Sequence, residues 1–397
     1  MGDILRLMVR QNPGDASKVL PIRGYIIIYG KKNFGNISEY GVKGLQTVTM
    51  ARAKLHPSRR PTNCKMQNIA NILLFYATCI IDALFSYKYN YIKNRRYHER
   101  GLRNMEVLTS ELFNSQCGKL ATKLNFNLYD AVLYDNGKVY RYEHQKANAC
   151  NNSYSVSKMF TMAAIGFLVD DGRLSLDDKV CDILSDEIKI DYHDKWKEVT
   201  VRHALGHKMG IDRDDPHAEE EERLSFDTND FLARVFSEKI IHTPGTFYCY
   251  SDGAYYMLSR IVTKISGEKL DDFLIERLFR PLGFEEPAWG KCPYGYPLGG
   301  DSLYCRTEDM IKLGIIYLNG GVFEGRRYFS EEWIKTTIRE NLGMLPCEKK
   351  SHGKTGSRGQ IVVFCPETNK ALALHAYECD NLDFRGAAIR RFLENEP

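Results

Sequence analysis

Tyr154 to Gly172 read YSVSKMFTMAAIGFLVDDG. Val156, Met159, Met162, Ala163, Gly166 and Phe167 recur at helical spacing, which predicts a buried helix over Val156–Val169 with Gly172 as its C-cap. At its start, Ser155-Val156-Ser157-Lys158 forms an S-x-x-K string where a loop becomes the helix. A serine there feels the positive end of the helix dipole, and a lysine three residues on lies one turn away on the same face. Buried among apolar neighbours, such a lysine can lose its proton and act as a base toward the hydroxyl. The string recurs at Ser266-Gly267-Glu268-Lys269, a turn leading into a helix at Leu270, and at Ser351-His352-Gly353-Lys354.

Upstream, Leu128 to Tyr142 hold two aromatic and β-branched runs joined through Asn136-Gly137, a pair that supplies the positive φ values of a tight hairpin. Downstream, residues 174–345 carry helical pattern broken by Gly/Pro loops: Thr228–Phe236, Ala254–Ile265, Leu270–Leu278, Thr307–Leu318 and Glu331–Arg339. Gln360 to Tyr377 return to strand as two runs around Pro366–Asn369, and Phe384–Leu393 is a last helix. Strands thus come from both ends of this segment, with a helical insertion between them.

Two further strings share the chemistry of Ser155. Tyr250-Ser251-Asp252 precedes the helix Ala254–Ile265, and Lys354-Thr355-Gly356 immediately precedes the strand Gln360–Phe364. A phenol beside a lysine can relay a proton. A Lys-Thr-Gly strand edge offers an anionic substrate a cation, a hydroxyl and close backbone approach. S-x-x-K, Y-x-D and K-T-G in this order resemble the serine β-lactamase and penicillin-binding family. Leu174–Asp178, Val199–His203 with Gly206-His207 and Gly210-Ile211, Gly299–Leu303 and Leu313–Gly321 look like its class C and esterase-like branch. The resemblance covers nearly all of residues 125–395.

That resemblance implies an α/β (α+β) architecture of the β-lactamase-like fold: an antiparallel sheet flanked by helices, plus a mainly helical lobe, over residues 105–397. It implies a serine hydrolase acting through an acyl-enzyme on an ester or amide, whether esterase, D-alanyl peptidase-like or β-lactamase-like. Ser155 would be acylated, Lys158 and Tyr250 would share proton transfer, and Asp252, Lys354, Thr355 and Gly356 would bind substrate. The backbone N–H groups of Ser155 and Ser357 would form the oxyanion hole. Asparagine is usual at the position of Asp252. An anion there would pair with Lys158 and favour its charged form, and it cannot donate to a substrate amide. The expected partner is a small-molecule or peptide substrate, with no metal and no organic cofactor. The class-distinct alternative is a non-hydrolytic β-lactam- or peptide-binding sensor.

Composition sets the frame for this reading. At 43% hydrophobic, 27% charged and 12% aromatic, the 397-residue chain is globular, which excludes a wholly disordered, collagenous or polytopic membrane protein. Charge is uneven: residues 1–104 hold 18 Lys/Arg against 5 Asp/Glu, leaving 37 against 46 beyond them, so a basic N-terminal extension of doubtful structure precedes the working segment. Ile69–Phe85 is the only long apolar run, at the lower limit for crossing a bilayer; a packed segment is favoured over a membrane tether. Nothing in the extension matches a nucleic-acid-binding signature. Eleven scattered cysteines without C-x-x-C, and no secretory signal, point to a cytoplasmic protein. His203 and His207 lack the Glu of H-E-x-x-H and read as core or capping residues, and Glu219–Glu222 reads as a solvated face.

Overall fold

Asn136 and Gly137 both adopt positive φ, +48° and +91°, in the computed structural model. They fold β1 (Leu128–Asp135) and β2 (Lys138–Glu143) into the expected hairpin. The structure describes residues 108–212, 229–378, 381 and 383–396, and a separate unit, Met1–Met105, of which only the backbone pairing of Leu7–Met8 with Ile27–Ile28 is described. Ile69–Phe85 and Glu219–Glu222 lie outside the described residues.

The sheet is antiparallel throughout and closes on strands from the other end of the chain. These are β3 (Leu345–Cys347), β4 (Ser351–Thr355), β5 (Ile361–Cys365) and β6 (Lys370–Ala376), in the order β3-β4-β5-β6-β1-β2. β6 lies directly on β1, with Leu372 opposite Leu133 and Leu374 opposite Ala131. Both faces are covered, which is why β5 and β6 read as nearly unbroken apolar runs. One face packs Leu133, Ile361, Val363 and Leu374 against Phe113 of α1 (Ser110–Lys123) and against Phe384 and Phe392 near the C-terminus. The other packs Val132, Val362, Phe364 and Ala373 into a larger core shared with the helical lobe.

At the centre of that lobe is α2 (Ser157–Asp170), buried on almost every side and packed against α4 (Asp252–Ser266). α3 (Val201–Leu205) opens with a capping box in which Thr200 Oγ1 accepts from the His203 N–H and His203 Nδ1 accepts from the Thr200 N–H, each at 3.2 Å. His203 is therefore the capping residue its spacing suggested. α5 (Thr307–Leu318) lies on β6, β5 and β1, and α6 (Glu331–Glu340) follows. Among the described residues no helix is long and apolar enough to cross a membrane.

Three departures from the sequence reading have local causes. The helix expected from Thr228 begins at Phe231, because the Asp230 carboxylate accepts from the Leu232 and Ala233 N–H groups and caps it there. Leu270–Leu278 is an α-helix only to Leu274 and continues as a wider π turn to Phe279, as the last helix does after Ala388. The K-T-G string does not merely precede a strand: Lys354 and Thr355 end β4, with Lys354 opposite Val362 and Thr355 opposite Ile361. Its polar sequence SHGKT hides a strand whose pairing to β5, not its own pattern, decides the conformation.

The packing of α2 yields a direct test. A Cβ on Gly166 would lie 2.5 Å from Trp333 Cε2, and the Trp333 ring is tied by Nε1 to Tyr317 Oη at 3.2 Å. Gly→Ala in an open helix gains about 0.5–1 kcal/mol. Here overpacking costs about 1–3 kcal/mol, which outweighs that gain by up to about 2.5 kcal/mol, so Gly166→Ala should lower the Tm by up to roughly 5 °C. A Tm that rises would contradict the helix contact.

Candidate active site

Ser155 sits in the 3₁₀ turn Tyr154–Val156 that feeds α2. The residues on either side lock that turn to Leu303. Ser153 Oγ donates to the Leu303 carbonyl at 2.8 Å, the Leu303 N–H donates to Ser157 Oγ at 3.1 Å, and the two hydroxyls lie 3.0 Å apart. With Ser153 and Ser157 fully buried, the half-buried Ser155 has its hydroxyl held at one place. There Tyr250 Oη lies 2.5 Å from Ser155 Oγ, and Lys158 Nζ lies 3.4 Å from it.

Lys158 is wholly buried. Its ammonium donates to the Gly300 carbonyl at 2.7 Å, lies 4.7 Å from the Tyr250 ring centre, and forms an ion pair with the Asp252 carboxylate. Asp252 opens α4, whose start is fixed by Ser251 Oγ accepting from the Ala254 N–H at 2.9 Å. Gly300 must be glycine, since a Cβ there would lie 2.8 Å from Asp252 Oδ1. Burial alone pushes the Lys158 ammonium toward losing its proton, but Asp252 and Tyr250 outweigh it and hold the lysine above its ordinary range. Burial also raises the Tyr250 phenol, only partly offset by Lys158, so that side chain is neutral at pH 7.

Across the site β4 presents Lys354, whose Nζ lies 5.0 Å from the Tyr250 ring centre. Burial first, and the nearby Lys158 charge second, push Lys354 down to about 7, and among the described residues no carboxylate pairs with it. Gly356 brings this strand end against the serine turn: a Cβ would meet the Ser153 carbonyl at 2.7 Å and the Ser155 nitrogen at 3.2 Å. The N–H groups of Ser155 and Ser357 meet no acceptor among the described residues. A cleft of about 1020 Å³ opens here, lined by Ser155, Tyr250, Lys354, Thr355, Gly356 and Ser357.

The structure thus gathers Ser155, Lys158, Tyr250, Asp252, Lys354, Thr355, Gly356 and Ser357 in one place. Asp252 directs its carboxylate to the wholly buried Lys158, while Ser155, Tyr250, Lys354, Thr355, Gly356 and Ser357 line the cleft. Sequence reasoning missed Ser157, the Gly300 carbonyl, Arg385, which lines the cleft and donates to the Gly356 carbonyl at 3.2 Å, and His207, whose ring stacks on Tyr250. Of these, Gly206-His207 and Gly299–Leu303 carried a signal, as stretches that resemble the family. Among the described residues no group of His, Cys, Asp and Glu is arranged to hold a metal.

The Lys158–Asp252 pair has a pH signature. The folded pKa of Lys158 lies above the ordinary value of 10.5, so its contribution to stability is fully present below that value and is lost only as pH rises through the folded one. In Asp252→Asn burial dominates and the folded pKa falls below the unfolded value. We expect the variant to lose about 3 kcal/mol at neutral pH, the scale for a buried charge stripped of its partner. Its deficit should then shrink as pH rises toward about 10. Thermal melts near pH 7 and 9.5 measure this, and a constant Tm gap would contradict the pairing.

A family model described as Beta-lactamase matches residues 130–385. Penicillin-binding protein 4 of Amycolatopsis lactamdurans is 34% identical over 142 residues, 34% of this chain and 34% of that protein, so the match spans about a third of the relative's length. Among solved structures, a putative 6-aminohexanoate-dimer hydrolase from Bacillus anthracis superposes with a TM-score of 0.59 at 16% identity, covering 70% of this chain and 82% of the other. A class C β-lactamase superposes at 0.58 and 17% identity, covering 73% and 100%. The structural likenesses speak for the fold, and with the family model matching more than half of its length the chain belongs to the β-lactamase family, a family of serine hydrolases.

Proposed function

We propose that the chain hydrolyses small esters or amides through an acyl-enzyme on Ser155, with a preference for substrates that carry a carboxylate near the scissile bond. The observation that carries this is the contact of Ser155 Oγ with Tyr250 Oη at 2.5 Å beside a buried ammonium. Ser155 Oγ attacks the substrate carbonyl carbon. Its proton passes to Tyr250 Oη, and the phenol gives its own proton to the leaving oxygen or nitrogen as that bond breaks. A neutral phenol suits such a relay because it ends as it began.

Lys158 then works as a fixed cation beside the reacting oxygens and not as the base that burial alone would make it, since Asp252 holds its proton. The carbonyl oxygen, as it becomes an oxyanion, meets the Ser155 and Ser357 N–H groups, which are already oriented and unpaired. Water repeats the sequence in reverse to release the acid. Lys354 faces the cleft without a carboxylate partner, and a substrate carboxylate supplies one. The 6-aminohexanoate dimer named for one structural neighbour is an amide with a terminal carboxylate, which fits the same demand.

A serine-directed fluorophosphonate should label Ser155, and Ser155→Ala should abolish labelling without unfolding the protein. Labelling that persists, or that moves to Ser266 or Ser351, removes the nucleophile. Tyr250→Phe should slow acylation about 10²–10⁴-fold, the range for a positioned proton carrier. Turnover is checked with short-chain aryl esters, D-alanyl peptides and a chromogenic β-lactam; acylation of Ser155 without release by any of them would favour a sensor over an enzyme.

Lys354 adds a pH dependence to binding. It is cationic below about 7 and neutral above. KM for a carboxylate-bearing substrate should therefore rise as pH climbs through that value, by about tenfold, the equivalent of one charge-assisted hydrogen bond. KM for a neutral aryl ester should stay flat. A parallel rise for both would show that Lys354 does not bind the anion.

A further inference from the structure

His207 belongs to none of the three motifs, yet its ring lies against the reacting phenol. It follows α3 in the left-handed region, φ +55°, and is 2% exposed. Its backbone carbonyl accepts from the Cys249 N–H at 2.8 Å, and its Nδ1 accepts from the Ser251 N–H at 3.1 Å. The two bonds bracket Tyr250, and between them the imidazole stacks on the phenol ring, centroids 4.6 Å apart and planes 25° from parallel. Tyr255 at 5.1 Å and Tyr248 at 5.7 Å enclose the imidazole further.

The protonation pattern of this ring is set by its neighbours. Accepting at Nδ1 places the proton of the neutral ring on Nε2, and that buried atom has no hydrogen-bond partner among the described residues. Burial, then the charges of Lys354 and Lys158, keep the imidazole neutral, far below its ordinary pKa. A second proton would remove the acceptor for Ser251 and add a third positive charge around Tyr250. An apolar side chain would fill the space but remove the acceptor that Nδ1 offers the Ser251 N–H, buried at the N-cap of α4.

We propose that His207 is a positioning residue: its Nδ1 holds the Ser251 backbone, and its ring seats Tyr250, so that the phenol stays over the Ser155 hydroxyl. This rests on the proposed relay through Tyr250. It acts on the step in which that relay is used, and contributes no proton itself. A displacement of an ångström at a reacting group is enough to cost about 10²-fold in rate.

The test is a double-mutant cycle read by the rate of Ser155 acylation with a p-nitrophenyl ester, in the full chain. His207→Gly and His207→Asn both tolerate the positive φ, and only Asn restores an acceptor near the Nδ1 position. His207→Gly should slow acylation about 10²-fold with KM little changed, and should cost less than about threefold in a Tyr250→Phe background. His207→Asn should recover the rate to within about tenfold of the wild type. An equal cost in both backgrounds would make His207 a packing residue and overturn the proposal, as would an Asn variant as slow as Gly. If His207→Gly does not fold, the Asn variant alone decides on the same rate. Tyr250→Phe at full speed would overturn the relay and this proposal with it, whereas a slow Tyr250→Phe beside a fast His207→Gly would overturn this proposal alone.

Discussion

A fully buried ammonium has to be compensated, and the Lys158 cation organises the site around that need. Its three hydrogen-bond partners come from separate parts of the chain: the Ser155 hydroxyl one turn back, the Asp252 carboxylate at the start of α4, and the Gly300 carbonyl on the loop before Leu303. Each partner is itself fixed. Ser155 is flanked by two buried serines tied to Leu303, Asp252 follows the Ser251 cap, and Gly300 can approach only because it has no Cβ. Removing Asp252 leaves the buried ammonium without its counter-charge, whereas removing either of the other two leaves it one hydrogen bond short.

Chemistry follows from how that cation is held. Because Asp252 outweighs burial, Lys158 keeps its charge, and Tyr250, at 2.5 Å from Ser155 Oγ, is left as the group with a proton to exchange. Two lysines flank the Tyr250 ring with opposite tendencies: Lys158 is held protonated, while Lys354 is pushed down to about 7. One fixed and one titrating cation beside the same phenol separate the proposed charge stabilisation at the reacting oxygens from anion binding at the substrate. The large-scale fold serves this arrangement. Strands from both ends of residues 108–396 meet at β1 and β6, and the sheet carries β4 up to the turn that precedes α2.

Much of this was legible where the signal is local. Asn136-Gly137 specified its hairpin, the apolar spacing after Val156 specified α2, and Thr307–Leu318 formed with the expected bounds, because in each the pattern and the packing agree. α1 escaped notice since only Phe113, Cys117 and Ala121 are buried along it, a stripe of one aromatic, one cysteine and one alanine among mostly polar residues. β4 escaped for the opposite reason: SHGKT is polar, and its strand conformation comes from β5. At the site, burial argued for a neutral Lys158 and Asp252 for a charged one; residue identities cannot order two opposing effects, whereas the contact distances can. His207 was read as a core or capping histidine because nothing near it in sequence reveals the Tyr250 ring that it faces, more than forty residues later.

The protonation state of Lys158 is the quantity on which these relations turn, and heteronuclear NMR of the lysine side chains, with ε-carbon labelling and assignment by Lys158→Arg and Lys354→Arg, measures it directly. We expect the Lys158 signal to show an ammonium throughout pH 6–10 and to titrate only above the ordinary lysine value of 10.5, while the Lys354 signal titrates near 7. A Lys158 that loses its proton near neutral pH while Lys354 stays charged would contradict the fixed-cation role and return the base to the S-x-x-K lysine.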